Sequence, residues 1–135
     1  MSAPNKRILV VDDNPRNLKL ASDVLEYAGY EVAEAANAEE AQTMISRNLP
    51  DVILMDIALP GMDGLTLTRK IKAEGNTQHI RIIALTAFAM KGDDQKALAA
   101  GCDGYITKPI DIRKLPTQVA EILGTSASPL NQNVL

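Results

Sequence analysis

The chain of 135 residues has room for one domain whose core needs neither a disulfide nor a structural metal. A formal net charge of -3 offers no basic footprint for nucleic acid. No run approaches the ~18 apolar residues that cross a membrane, and no leader pattern precedes the first strand. Only 3% of residues are aromatic against 46% hydrophobic, so the core falls to Ile, Leu, Val, Met and Ala, and Cys102, the only cysteine, excludes an intramolecular disulfide and suits the cytoplasm.

In chain order, the run RILVV at 7–11 has strand length and ends on Asp12 and Asp13. Asn14 then acts as a helix N-cap with Pro15 at the first helical position, and Leu18, Ala21, Val24, Leu25 and Ala28 make the buried stripe before Gly29 stops the helix. EVAEA at 31–35 is a mixed strand. A second helix follows from Asn37 with Glu40 as capping-box partner and Ala41, Met44 and Ile45 facing inward. DVILM at 51–55 is a third strand, ending on Asp56. After Gly64 a third helix carries Leu65, Leu67, Thr68 and Ile71, and IRIIAL at 80–85 is a fourth strand, ending on Thr86. A short helix from about 93 to 100 is closed by Gly101, and the fifth strand, 103–106, leads to Lys108. The last helix carries Ile112, Leu115, Val119, Ile122 and Leu123, with Pro116 making it regular only from that position. Residues 124–135, GTSASPLNQNVL, lack periodicity and are expected to form a disordered polar tail after a domain spanning 1–123.

Strands alternating with helices imply an α/β fold, a doubly wound five-stranded parallel sheet covered on both faces by five helices. Strands one, three and four are continuously apolar, as central strands are, whereas two and five are mixed, as edges are. That pattern fits the flavodoxin-like order 2-1-3-4-5.

In such a sheet the ligand crevice lies at the carboxyl ends of the strands where the winding reverses. Asp12, Asp13, Asp56, Thr86 and Lys108 all fall at that edge. Adjacent strands lie about 4.8 Å apart, and a Mg2+ held at about 2.1 Å by two carboxylates fits between them. Three clustered carboxylates also repel one another, which a divalent ion relieves. Thr86 is one strand from Asp56, and Lys108, two strands away, has the reach to close the gap. A carboxylate nucleophile with metal ligands, a hydroxyl and a cation around it matches phosphoryl transfer onto Asp56. Singly, each residue has an ordinary explanation: the aspartates cap a helix, Thr86 ends a strand, Lys108 is a solvated charge. Together at one edge they need four coincidences.

The stretches ILVVDDNPRN, DVILMDIALPGMDG, IIALTAFA and GYITKPI resemble, over about 1–123, the receiver domain of two-component response regulators. TAFAMKGD at 86–93 makes the chain most similar to stand-alone regulators of the DivK cell-cycle type. The resemblance implies a phosphorelay role in which Asp56 accepts a phosphoryl group from a histidine kinase or histidine phosphotransferase. It further implies Mg2+ held by Asp13, Asp56 and the backbone carbonyl of Ala58, with Asp12 acting partly through water. Thr86 and Lys108 would contact the aspartyl phosphate, Lys108-Pro109 would be cis, and Tyr105 would pair with Thr86 as the switch. On this basis a downstream protein docks on the face of helix four and strand five, where Phe88, Met90 and Tyr105 could form an apolar patch. Ala58 and Phe88, both apolar, offer nothing to orient an attacking water, so self-dephosphorylation should be slow. The lone His79 is expected on the surface, outside any relay, and Cys102 as a packing residue.

Three alternatives remain. A phosphohydrolase of the haloacid dehalogenase type shares the aspartyl nucleophile but needs a second acid where Ala58 stands. A flavin mononucleotide carrier shares the sheet, but DDNPRN would repel its phosphate. A degenerate receiver acting only as a binding module would lack one of the site positions, all of which are filled here.

Overall fold

The computed structural model describes residues 6–57, 64–86 and 93–124. Strands and helices alternate through them: β1 (Arg7–Val11), α1 (Pro15–Tyr27), β2 (Glu31–Ala35), α2 (Ala38–Arg47), β3 (Val52–Asp56), α3 (Gly64–Ala73), β4 (Arg81–Thr86), α4 (Asp93–Ala100), β5 (Gly104–Thr107) and α5 (Leu115–Leu123). The strands pair in parallel in the order β2-β1-β3-β4-β5. The winding therefore reverses between β1 and β3, and the crevice at their carboxyl ends is where the sequence placed the acidic residues.

Side-chain alternation along the central strands divides the core in two. Leu9, Val11, Ile53, Met55, Ile82 and Ala84 face one cluster, completed by Ala41 and Ile45 of α2, Leu67 and Ile71 of α3, and Ala97 of α4. Ile8, Val10, Val52, Leu54, Ile83 and Leu85 face the other, with Leu18, Ala21 and Leu25 of α1 and Leu115 and Val119 of α5. Burying each such Leu or Ile is worth about 1.5–3 kcal/mol, so the two layers hold the strand ends in fixed register. Among the described residues no helix is long and apolar enough to cross a membrane.

Local chemistry sets the helix boundaries. The Asn14 side chain accepts from the backbone N–H groups of Arg16 and Asn17, with Pro15 in the first turn. Asn37 accepts from the Glu40 N–H at 2.8 Å, and Glu40 reaches back to the Ala36 N–H at 2.8 Å. The expected capping box thus closes one residue wider than its usual form. Gly101, with φ +109, ends α4 in a conformation that L side chains rarely adopt.

Four expectations are corrected. Ala28 is exposed, because it is the C-cap of α1 rather than part of the buried stripe. Ile112 is 44% exposed, because α5 begins only at Leu115, so Ile112 precedes it. That helix starts one residue before Pro116, which occupies its first turn, where the missing N–H costs no helical bond. Strands β3 and β4 each run one residue further than the apolar pattern, so Asp56 and Thr86 are strand residues and not the residues after strands. Of the tail expected at 124–135, Gly124 is the left-handed C-cap of α5, and the rest lies outside the described residues.

Candidate functional site

The backbone delivers the acidic group. Val11 pairs with Met55, so one further step along the register sets Asp12 beside Asp56. The Asp12 N–H still donates to Ala35 O of β2 at 3.1 Å, which keeps Asp12 in the sheet, and its Oδ1 accepts the Asn14 N–H at 2.9 Å. Asp12 therefore makes the local turn that the ordinary explanation required. It also belongs to the site, since turn and site use different oxygens.

Asp12 and Asp56 are buried and Asp13 is exposed. One carboxylate oxygen from each lies within 4.8 Å of the others. Three oxygens so arranged suit a hard divalent cation in size and ligand type. Asp12 Oδ2 is enclosed without a partner of hydrogen-bond geometry, although Lys108 Nζ lies 2.9 Å away. The two observations agree if the ion pair is close but off-axis, which leaves that oxygen with capacity to spare. Asp13 opens the group to solvent and gives it an entry path.

Lys108 follows β5, its N–H donating to Thr86 O at 2.7 Å and its peptide bond to Pro109 being cis, as the resemblance implied. Its ammonium lies 3.1 Å from Asp56 Oδ2 as well as 2.9 Å from Asp12 Oδ2. Burial pulls its pKa down, but the close Asp12 and Asp56 carboxylates, the latter also hydrogen-bonded to it, outweigh burial and hold it above the ordinary lysine value. The side chain thus spans the gap across two strands. Its contact with Asp12 was not legible in the sequence, where the two residues stand nearly a hundred positions apart and share only a sheet edge.

Thr86 ends β4 and is buried, one position beyond the Leu85 that pairs with Asp56. Tyr105 pairs with Ala84 and is 42% exposed, its ring turned outward on the edge strand. Leu98 of α4 is exposed as well. Ala58, Phe88 and Met90 lie outside the described residues. His79 is exposed, away from the acidic group in its loop before β4. Cys102 is buried, its thiol donating to Thr68 Oγ1 at 3.9 Å, and burial raises its pKa, so it is a packing residue and not a nucleophile.

Comparison with known proteins agrees with this geometry. A family model described as response regulator receiver domain matches residues 8–120. The polar-differentiation response regulator DivK of Brucella anthropi is 41% identical over 119 residues, 88% of this chain and 97% of that protein. That of Brucella ovis is 40% identical over the same shares. Among solved structures, a CheY-like response regulator receiver domain protein from Methanospirillum hungatei superposes with a TM-score of 0.82 at 36% identity, covering 90% of this chain and 95% of that one. The chemotaxis response regulator CheY4 of Vibrio cholerae gives a TM-score of 0.83 at 27% identity, covering 88% and 99%. These likenesses favour the receiver over the phosphohydrolase and flavin-carrier alternatives. By sequence and by fold, the chain belongs to the response regulator receiver domain family.

Proposed function

We propose that Asp56 is the phosphoacceptor of this receiver domain and takes its phosphoryl group from a phosphohistidine on a kinase or phosphotransferase. The observation that carries the proposal is the bridging ammonium of Lys108 between Asp12 and Asp56, within a group of three carboxylates that one cation can reach. A carboxylate oxygen of Asp56 attacks phosphorus as the P–N bond breaks. The new O–P bond leaves Asp56 as a mixed anhydride, and the electron pair of the broken bond stays on the departing imidazole.

Asp12, Asp13 and Asp56, with the Ala58 carbonyl that the family resemblance adds, are the residues that would hold Mg2+. When bound, Mg2+ supplies neutralisation of charge on the transferring phosphoryl oxygens. Lys108, placed against Asp56 before the reaction, supplies a second fixed positive charge and needs no reorganisation to do so. Thr86, at the end of the neighbouring strand, donates its hydroxyl to a phosphoryl oxygen. Asp12 orients Lys108 through their ion pair.

The switch follows from the same placement. Thr86 drawn toward the phosphoryl group vacates space behind β4, and Tyr105, exposed on β5 in the unmodified protein, rotates into it. The face of α4 and β5, with Leu98 and Tyr105 exposed, is the surface offered to a downstream protein partner. The protein would act as a phosphoacceptor that promotes its own phosphorylation and only slow dephosphorylation, in the cytoplasm where such relays operate.

Phosphoramidate, a small donor with a P–N bond like that of phosphohistidine, tests the proposal by intact mass. Wild type should gain one phosphoryl group in the presence of Mg2+, and Asp56→Asn should gain none. Equal labelling of the two proteins would remove Asp56 from the role. A half-life of seconds for the labelled protein would contradict slow dephosphorylation.

A further inference from the structure

Gly64, the first residue of α3, is buried against the last residue of β3. A Cβ built on it would lie 2.3 Å from the backbone carbonyl oxygen of Asp56, 2.9 Å from Ile57 Cα and 2.9 Å from Met55 Cγ. Its φ is not among the positive values of the described glycines, so glycine is not required there by backbone conformation. It is required because no side-chain atom fits between α3 and the backbone of Asp56.

That close approach is held from both sides. The Thr68 hydroxyl, fully buried one turn along α3, donates to Gly64 O at 2.8 Å. Opposite, the Ile57 N–H donates to Leu85 O of β4 at 3.1 Å. The Asp56–Ile57 peptide is thus clamped between β4 and the start of α3. The direction of the Asp56 carboxylate, which must meet Lys108 and stay within reach of Asp12 and Asp13, follows from that peptide.

We propose that Gly64 is a positioning residue for phosphoryl acceptance, acting through the backbone of Asp56. This rests on Asp56 being the phosphoacceptor. Carbon and oxygen settle at about 3.3–3.6 Å, so any side chain at 64 obliges α3 or the end of β3 to move by about 1 Å. Two of the obstructing atoms, Asp56 O and Ile57 Cα, are backbone and cannot swing aside, so a shift of the Met55 side chain alone would not make room. A displacement of about 1 Å at a reacting group costs on the order of 100-fold in rate. Thr68 shares the role by anchoring Gly64.

The test compares Gly64→Ala, Thr68→Val and Thr68→Ser with wild type, using Gly75→Ala as control because nothing lies within 4 Å of a Cβ there. Each is labelled with phosphoramidate and Mg2+ at a temperature well below its own melting point, so that loss of folded protein does not enter the rate. Gly64→Ala should be labelled at least about ten-fold more slowly than wild type and should bind Mg2+ more weakly by calorimetry. Thr68→Val should lose about two- to five-fold, Thr68→Ser should recover it, and Gly75→Ala should match wild type. A merely structural role would lower the melting point of Gly64→Ala and leave its rate below melting unchanged, which would overturn the proposal. If Gly64→Ala does not fold, Thr68→Val decides: a reduced rate regained in Thr68→Ser supports the proposal, and an unchanged rate overturns it. Failure of wild type itself to label would instead strike the phosphoacceptor assignment.

Discussion

The two ends of the sheet each carry a lysine set among acceptors, and they are balanced differently. At the amino end, Lys72 Nζ donates to Ile80 O at 2.7 Å, Gln78 O at 3.3 Å and Asp103 Oδ2 at 3.0 Å, using all three of its protons. Asp103 also accepts the Ile82 N–H at 2.8 Å and faces Arg81 at 3.8 Å. One carboxylate thus has two cations and a backbone donor. At the carboxyl end, among the described residues, one ammonium, Lys108, meets Asp12 and Asp56 of a group of three carboxylates, and one buried oxygen of Asp12 lacks a directed bond. The first cluster ties α3, β4 and the turn before β5 together. Among the described residues the second gathers more carboxylates than cations at the topological switch point, as a cation-assisted site does.

Exchanging the lysines separates the two functions, and the largest effect is expected at the carboxyl end. Lys108→Met should slow phosphoryl acceptance by about 100-fold or more while the protein stays folded, read as initial labelling rate with phosphoramidate and Mg2+. Lys72→Met should do the reverse. It leaves two carbonyls and a partly buried carboxylate short of a donor, and should cost about 1–3 kcal/mol in urea unfolding with the labelling rate of the remaining folded protein unchanged. A Lys72→Met protein that is stable but unreactive would erase the distinction.

Asp13→Asn removes one of the crowded charges and sharpens the contrast on the acidic side. In chelator it should stabilise the protein by a few tenths of a kcal/mol, up to about 1, while weakening Mg2+ binding in calorimetry. A loss of stability in chelator would mean that the three carboxylates are not strained by one another. The smallest effect belongs to Asp111, a partly exposed residue outside both clusters. Its Oδ1 accepts the Arg113 N–H at 3.0 Å, and that bond, with the nearby Arg113 charge, holds its pKa below the ordinary value against slight desolvation. A carboxylate with a lowered folded pKa contributes stability above its unfolded pKa and loses it as pH falls through the folded value. The melting point of Asp111→Ala should therefore lie slightly below wild type at neutral pH, and the gap should close below about pH 3.9.

Much of this was legible in the sequence, for identifiable reasons. Continuous apolar runs at β1, β3 and β4 against mixed runs at β2 and β5 carried the strand order, since burial on both faces leaves no room for alternation. Asn14-Pro15 and Asn37 carried the helix starts because capping is a local bond. Asp12, Asp13, Asp56, Thr86 and Lys108 could be placed together because each ends a run at the same edge. The remainder depends on contacts between distant segments. Lys72 and Asp103 look like ordinary surface charges until the turn before β5 brings them together, and Gly64 looks like a loop residue until α3 closes on Asp56. Ala28 and Ile112 misled because apolar spacing alone does not say where a helix leaves the sheet.

The central question is whether the acidic group at the carboxyl end is a cation-dependent acceptor of phosphoryl groups at Asp56. Peptide-level mass spectrometry after labelling with acetyl phosphate, with Mg2+ or with chelator, measures this directly. The predicted result is one phosphoryl group located on Asp56, present with Mg2+ and lost with chelator. Labelling located on another residue, or on Asp56 with equal yield in chelator, would contradict it.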